Sequence, residues 1–196
     1  NNQFIFFSGI GVDTDTNSKR SDAIFKSEKY ISENLVNSSV IRPGIIIGGG
    51  DKFLKSLLPI FKISFFIPLF GGGKSNFQPV FINDVALGIN QIIKNKLLGN
   101  HIYEFFGPRI FSYKEFYNLI SKYLRISRFL FSTPFFIANF IVFFLEKTRY
   151  SLINREKLKF FNQNNIAVKL YNGLSDLGVT AQDTKEVLRI IIKKNL

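Results

Sequence analysis

Few side chains in this sequence could do chemistry, and the best placed lie near its start. An apolar run, Gln3-Phe4-Ile5-Phe6-Phe7, ends in Ser8, whose hydroxyl can both donate and accept a hydrogen bond. A polar loop follows, then SDAIFKSEKYISENL, in which Lys26 lies one helical turn after Asp22. A lysine placed there is either a working cation of a catalytic or cofactor site or part of a solvated helix face. Arg42 precedes Pro43 and is therefore held extended; it is expected to brace its loop or to pair with an acid. Asp51 and Asp84 each stand where a helix should begin, so helix capping is the expected role of both.

Other chemistries are excluded or weak. The chain has no Cys, which removes disulfides, thiolate metal sites and a Cys nucleophile, and fits a reducing compartment. A single His, His101, stands at the start of an expected strand and reads as a structural polar residue. The run GIGVD at 9–13 is not a dinucleotide fingerprint: the third glycine of G-x-G-x-x-G would fall on Thr14, where no helix starts. The glycine triplets Gly48–Gly50 and Gly71–Gly73 also lack the strand, turn and helix that the fingerprint needs.

The elements that must position these residues follow from apolar periodicity. Asn2–Ser8 reads as a buried strand, 22–36 as a helix, and SSVIRPGIIIGGG as a second strand broken at Pro43–Gly44. Strand, helix, strand is a βαβ unit and implies a parallel sheet. A helix is expected over 51–61, followed by a Pro/Gly-rich loop with short extended pieces up to Gly73. A short strand and a helix over 84–94 come next, then the strand HIYEFFG. The helix after it carries a capping box, with Ser112 as N-cap and Glu115 at the third helical position. Further helices are expected near 134–148, 154–161 and 184–194.

The chain has 196 residues, begins with Asn and contains no Met, so a longer parent is expected. The net charge of +12 comes from scattered residues, 18 Lys and 8 Arg, and reads as a basic surface and not as a nucleic-acid tract. Residues 129–145 carry no charge. A spanning helix needs ~20 apolar residues, and Pro134 shortens this one. A buried helix, or an interfacial helix lying on a membrane or a partner, is expected instead.

The order of these features resembles the C-terminal half of an extended, epimerase-like short-chain dehydrogenase/reductase. Within that class, FIFFSGIGVD, KSEK, VIRPGIIIGGGDKF, PLFGGGKSNFQPVFINDVALGI, YEFFGPRIFSYKEF, NREKLKFFNQNNIAV and LSDLGVTAQDTKEVL are similar to one group. That group is the nucleotide-binding accessory subunit of respiratory complex I, the alpha-subcomplex subunit nine family, with its bacterial relatives. The resemblance implies an α/β fold: the C-terminal part of a Rossmann-like parallel sheet at 1–48 and 77–95, with a smaller, mostly helical lobe at 49–76 and 96–196. The Gly-rich fingerprint would lie upstream of residue 1.

The family's catalytic set is a strand-end Ser, a Tyr acting as general acid/base, and a Lys four residues after the Tyr that binds the nicotinamide ribose. The resemblance places Ser8 and Lys26 in the Ser and Lys roles, and Pro43, Gly44, Ile45 and Ile46 beside the nicotinamide. Asp22 then occupies the Tyr position. A carboxylate cannot donate a proton as a phenol does, and none of the seven tyrosines has a Lys four residues later. The resemblance therefore implies NAD or NADP held without turnover by an accessory or assembly subunit of complex I, or by its bacterial counterpart. The expected location is the membrane periphery, cytoplasmic in a bacterium or on the matrix side in a mitochondrion, with a contact through 129–145. An active oxidoreductase or sugar-nucleotide epimerase is the alternative.

Overall fold

The computed structural model describes residues 3–12, 19–95, 99–145, 158, 161–168 and 170–194. In chain order these form β1 (Phe4–Phe7), α1 (Lys19–Asn34), β2 (Ser38–Pro43), β3 (Ile46–Ile47), α2 (Lys52–Ile63), β4 (Phe66–Phe70), β5 (Asn76–Phe77), β6 (Val80–Phe81) and α3 (Ile82–Asn95). They continue with β7 (Asn100–Phe105), β8 (Phe111–Ser112), α4 (Tyr113–Leu124), β9 (Phe129–Thr133), α5 (Phe135–Leu145) and α6 (Thr184–Lys194). Two compact units result. The first holds Asn1–Gly48, Gln78–Arg109 and Ile166–Thr184; the second holds Gly49–Phe77, Ile110–Asn165 and Lys185–Leu196.

The first unit is built on a parallel sheet of order β1-β2-β7. Its centre, SSVIRP in β2, is buried along nearly its whole length, as a parallel strand covered on both faces must be. Parallel neighbours need a crossover, and α1 supplies it between β1 and β2. Ile41, Tyr103 and Phe105 of the sheet pack with Val85 and Ile92 of α3 and with Leu174 and Val179 into one apolar cluster. The strand β3 pairs in parallel with β6.

Three local expectations change. The strand β7, expected in the smaller lobe with the rest of 96–196, pairs along its whole length with β2, from Ser38 opposite Asn100 to Pro43 opposite Phe105. Its partner lies far away in sequence, so no local pattern could assign it. Residues 166–184 join the same unit: the amide of Glu104 donates to the carbonyl of Asn172 at 2.8 Å. Asp84 does not cap α3. That helix begins at Ile82, and the Asp84 carboxylate is buried, accepting from the Gln182 amide at 2.9 Å and from Gln182 Nε2 at 3.3 Å.

In the second unit the caps follow the sequence. Asp51 Oδ1 accepts from the Leu54 amide at 2.6 Å, and the Ser112–Glu115 capping box is complete at the start of α4. The Pro/Gly-rich stretch is not all loop: β4 pairs in parallel with β9, Phe66 opposite Phe129 and Phe70 opposite Thr133. An aromatic core surrounds Phe77, whose ring stacks on Tyr113 at 4.6 Å and meets Phe116 edge-on at 5.0 Å. Burial pushes the phenols of Tyr113 and Tyr117 up from their ordinary range. The helix α5 turns Ala138 and Val142 inward onto Phe70 and Leu158. The helix expected near 154–161 and the last residues of the one expected at 134–148 lie outside the described residues, except Leu158 and Phe161.

Candidate functional site

In a parallel sheet the strands end together, and the crevice beyond their carboxyl ends is where such folds bind ligands. Here that edge is made by Ser8, just after β1, and by Pro43 and Gly44 at the end of β2. The Ser8 amide donates to the Ile41 carbonyl at 2.9 Å, which ties Ser8 to the neighbouring strand end. Its Oγ is shielded from solvent and has no hydrogen-bond partner among the described residues. Ser39, Ser121 and Thr133 also carry shielded, unpartnered hydroxyls; Ser8 is the one of the four at the carboxyl edge of β1.

The run from Pro43 to Ile46 is fixed by its own neighbours. The Gly44 amide donates to the Phe105 carbonyl at 2.9 Å. A Cβ at Gly44 would collide with the Gln78 carbonyl oxygen and would come within 2.8 Å of the Phe106 ring. Gly44 is thus required by packing inside the unit. The Ile45 carbonyl accepts from the Val80 amide at 3.0 Å, and Ile46 pairs with Val80. These contacts fix Pro43–Ile46 at and beyond the end of β2.

Lys26 stands off the buried stripe of α1. Along α1 the buried residues are Glu28 and Ile31, and Ser21 and Ile24 continue the same stripe toward the helix start as partly covered residues. Lys26 precedes Glu28 by two positions, which in an α-helix is more than half a turn away. Its side chain is 74% exposed, and its ammonium donates to Asp22 Oδ2 at 2.7 Å. The residue one turn before Glu28 on the inward stripe is Ile24, which has no charge. Asp22, expected at the Tyr position, is occupied by this exposed pair.

The residue that sequence reasoning left without a defined role is the best held. Arg42 of β2 donates from Nε to Glu28 Oε1 at 3.0 Å and from Nη2 to Glu28 Oε2 at 2.6 Å. Both side chains are about 5% exposed or less. The guanidinium also lies over the Tyr171 ring, 5.2 Å from its centre. Glu104 stands next to Arg42 in the strand register, and its Oε2 accepts from the Val168 amide at 3.0 Å. The KSEK run contained this pair's acid, but only the fold shows which base it meets.

A cavity of about 820 Å³ opens in the same unit beside Glu104, Phe106, Gly107, Tyr171, Asp176 and Thr180. Neither Ser8, Lys26 nor Pro43–Ile46 lines it. Nothing in the sequence pointed to it, because its walls come from β7 and from the 167–181 segment.

The strand order, the crossover and the strand-end crevice define an α/β fold of the Rossmann-like type. A solved human epimerase family protein (isoform 2) with NADPH matches it at a TM-score of 0.70 over 96% of this chain and 64% of that one, at 15% identity. At that identity the likeness concerns the fold. In sequence the chain is similar to NADH dehydrogenase (ubiquinone) 1 alpha subcomplex subunit 9, mitochondrial, of Arabidopsis thaliana, 30% identical over 125 residues. It is also similar to the protein of the same name from Dictyostelium discoideum, 33% identical over 108 residues. These matches cover 63% and 55% of this chain but only 31% and 30% of those proteins. No family model matches the chain. The resemblance to the subunit nine group, drawn first from the motifs, is borne out.

Proposed function

We propose that this chain carries the nicotinamide side of a dinucleotide-binding protein that serves as an accessory or assembly subunit of NADH:ubiquinone oxidoreductase. The observation that carries the site is the Ser8 hydroxyl, shielded and unpartnered at the carboxyl edge of a parallel sheet. Sequence similarity to the subunit 9 proteins supports the place in complex I, and a solved relative of the same fold was determined with NADPH. Ser8 and Pro43–Ile46 are the residues of this chain that would meet the dinucleotide. When bound, its ring supplies hydride donor or acceptor chemistry.

A binding role is favoured over turnover by what stands near the crevice. The described α1 offers no phenol there: Asp22 is tied to Lys26 on the exposed flank, and the inward stripe holds Ile24. Ser8 can orient a ligand, and among the described residues no side-chain base is hydrogen-bonded to it. The same reading puts the protein at the periphery of the respiratory membrane, with the charge-free stretch 129–145 as a contact.

The test is to purify the full-length protein and measure retained nucleotide by mass spectrometry, then hydride exchange with sugar nucleotides. Retained NAD or NADP without turnover is the expected result. Rapid exchange would establish the enzymatic alternative, and purification free of any dinucleotide that also fails to bind added NADPH or NADH would overturn the site.

A further inference from the structure

The two units differ sharply in charge. The first carries 9 basic and 9 acidic residues, the second 17 basic and 5 acidic, so the whole net charge of +12 belongs to the second. Within that unit the bias is stronger still. The stretches 52–77 and 116–145 contain seven basic residues (Lys52, Lys55, Lys62, Lys74, Lys122, Arg125 and Arg128) and no acidic one. These two stretches supply α2, β4, β9 and α5, and most of α4.

The same elements expose large apolar side chains. On the β4–β9 ribbon, Phe66 and Phe129 stand opposite each other and meet edge-on at 5.7 Å, both more than half exposed. Ile63 ends α2 with its side chain 87% exposed, and Phe65 follows it. On α5, Phe136 is 74% and Phe140 66% exposed, while Ala138 and Val142 turn inward. Exposed apolar residues are ordinary and the first unit has them too; what sets the second unit apart is that its exposed phenylalanines are joined by a large excess of basic residues.

We propose that the second unit docks on an anionic lipid bilayer through these exposed side chains, with the phenylalanines entering the headgroup boundary and the lysines and arginines meeting lipid phosphates. Basic residues around exposed aromatic and aliphatic side chains are what an interfacial segment requires. The eleven residues of α5 would reach ~16 Å, about half of a hydrocarbon core, so the helix lies on the bilayer and does not cross it. No described helix is long and apolar enough to cross a membrane. A nucleic acid would use the charge but leave the phenylalanines in water. This deepens the membrane part of the reading above and does not depend on the dinucleotide.

The chain has no Trp, so one can be introduced as a probe. The full chain carrying Phe136→Trp is mixed, without nucleotide, with vesicles of phosphatidylcholine alone or with added phosphatidylglycerol. The expected result is a blue shift of emission and flotation with the anionic vesicles, weakened by salt. Phe25→Trp, in the first unit, should not shift. Lys62→Gln and Lys122→Gln should each lower vesicle affinity about fivefold, and Ile63→Ser should lower it without changing the circular dichroism spectrum. No shift with anionic vesicles at low salt overturns the proposal, as does equal binding to neutral vesicles. Variants that bind like the parent, or a Trp shift produced only by an acidic protein, would overturn it as well. Vesicle binding with no dinucleotide retained would separate this surface from the site at Ser8.

Discussion

Glu28 of α1 and Arg42 of β2 form a two-pronged, buried ion pair at 3.0 and 2.6 Å, with Tyr171 against the guanidinium. The pair fastens the crossover helix to the central strand next to the strand-end crevice, and so fixes which residues of α1 face the sheet. Removing Glu28 takes away the carboxylate that holds both prongs of a buried guanidinium. Glu28→Ala should therefore cost about 3–5 kcal/mol in chemical denaturation. Glu28→Met combined with Arg42→Met should recover most of that loss. A single variant as stable as the parent would show that water reaches the pair.

The rotation that buries Glu28 turns Lys26 outward. Lys26→Ala should change dinucleotide affinity by less than about twofold, because an exposed pair one turn apart contributes little. Ser8→Ala should weaken affinity roughly two- to tenfold through loss of one hydrogen bond. Calorimetric titration of the full-length protein with NADPH and NADH reads both. A large loss for Lys26→Ala with none for Ser8→Ala would restore the lysine as the ribose contact and remove the serine.

The capping box of α4 gives a pH prediction. Glu115 accepts from the Ser112 amide at 2.8 Å and from its hydroxyl at 2.9 Å, and these bonds hold its carboxyl below the usual range. A carboxyl lowered in the folded state adds stability above its unfolded pKa and loses it as pH falls through the folded one. Ser112→Ala should cost about 1 kcal/mol at neutral pH. The difference from the parent should shrink in acid, below the ordinary carboxylate range. A penalty unchanged between neutral and acidic pH would contradict the carboxylate's part in the cap.

Asp84 ties α3 to the segment around Gln182 through two hydrogen bonds. Asp84→Ala should cost roughly 0.5–1.5 kcal/mol per hydrogen bond lost, and should speed hydrogen exchange at the Gln182 amide. Asp84→Asn keeps one acceptor and should be milder. Equal exchange at Gln182 in all three proteins would show that the segment is held by other contacts.

By itself the sequence determined what short-range physics controls. The apolar run ending at Ser8, the SSVIRP strand, the Asp51 cap, the Ser112–Glu115 box and the helix over 184–194 all depend on residues within a turn or two of each other. The order of those motifs also carried the resemblance to the subunit nine group. Tertiary structure alone decided what depends on distant partners: that β7 joins β2, that β4 meets β9, and that Asp84 reaches Gln182 instead of capping its helix. It also decided which side of α1 is buried. Lys26 and Glu28 lie two positions apart on one helix, and sequence cannot say which of them faces the sheet. Arg42 on the neighbouring strand decides it, because a guanidinium buried in β2 must find a carboxylate, and Glu28 is the one α1 brings within reach.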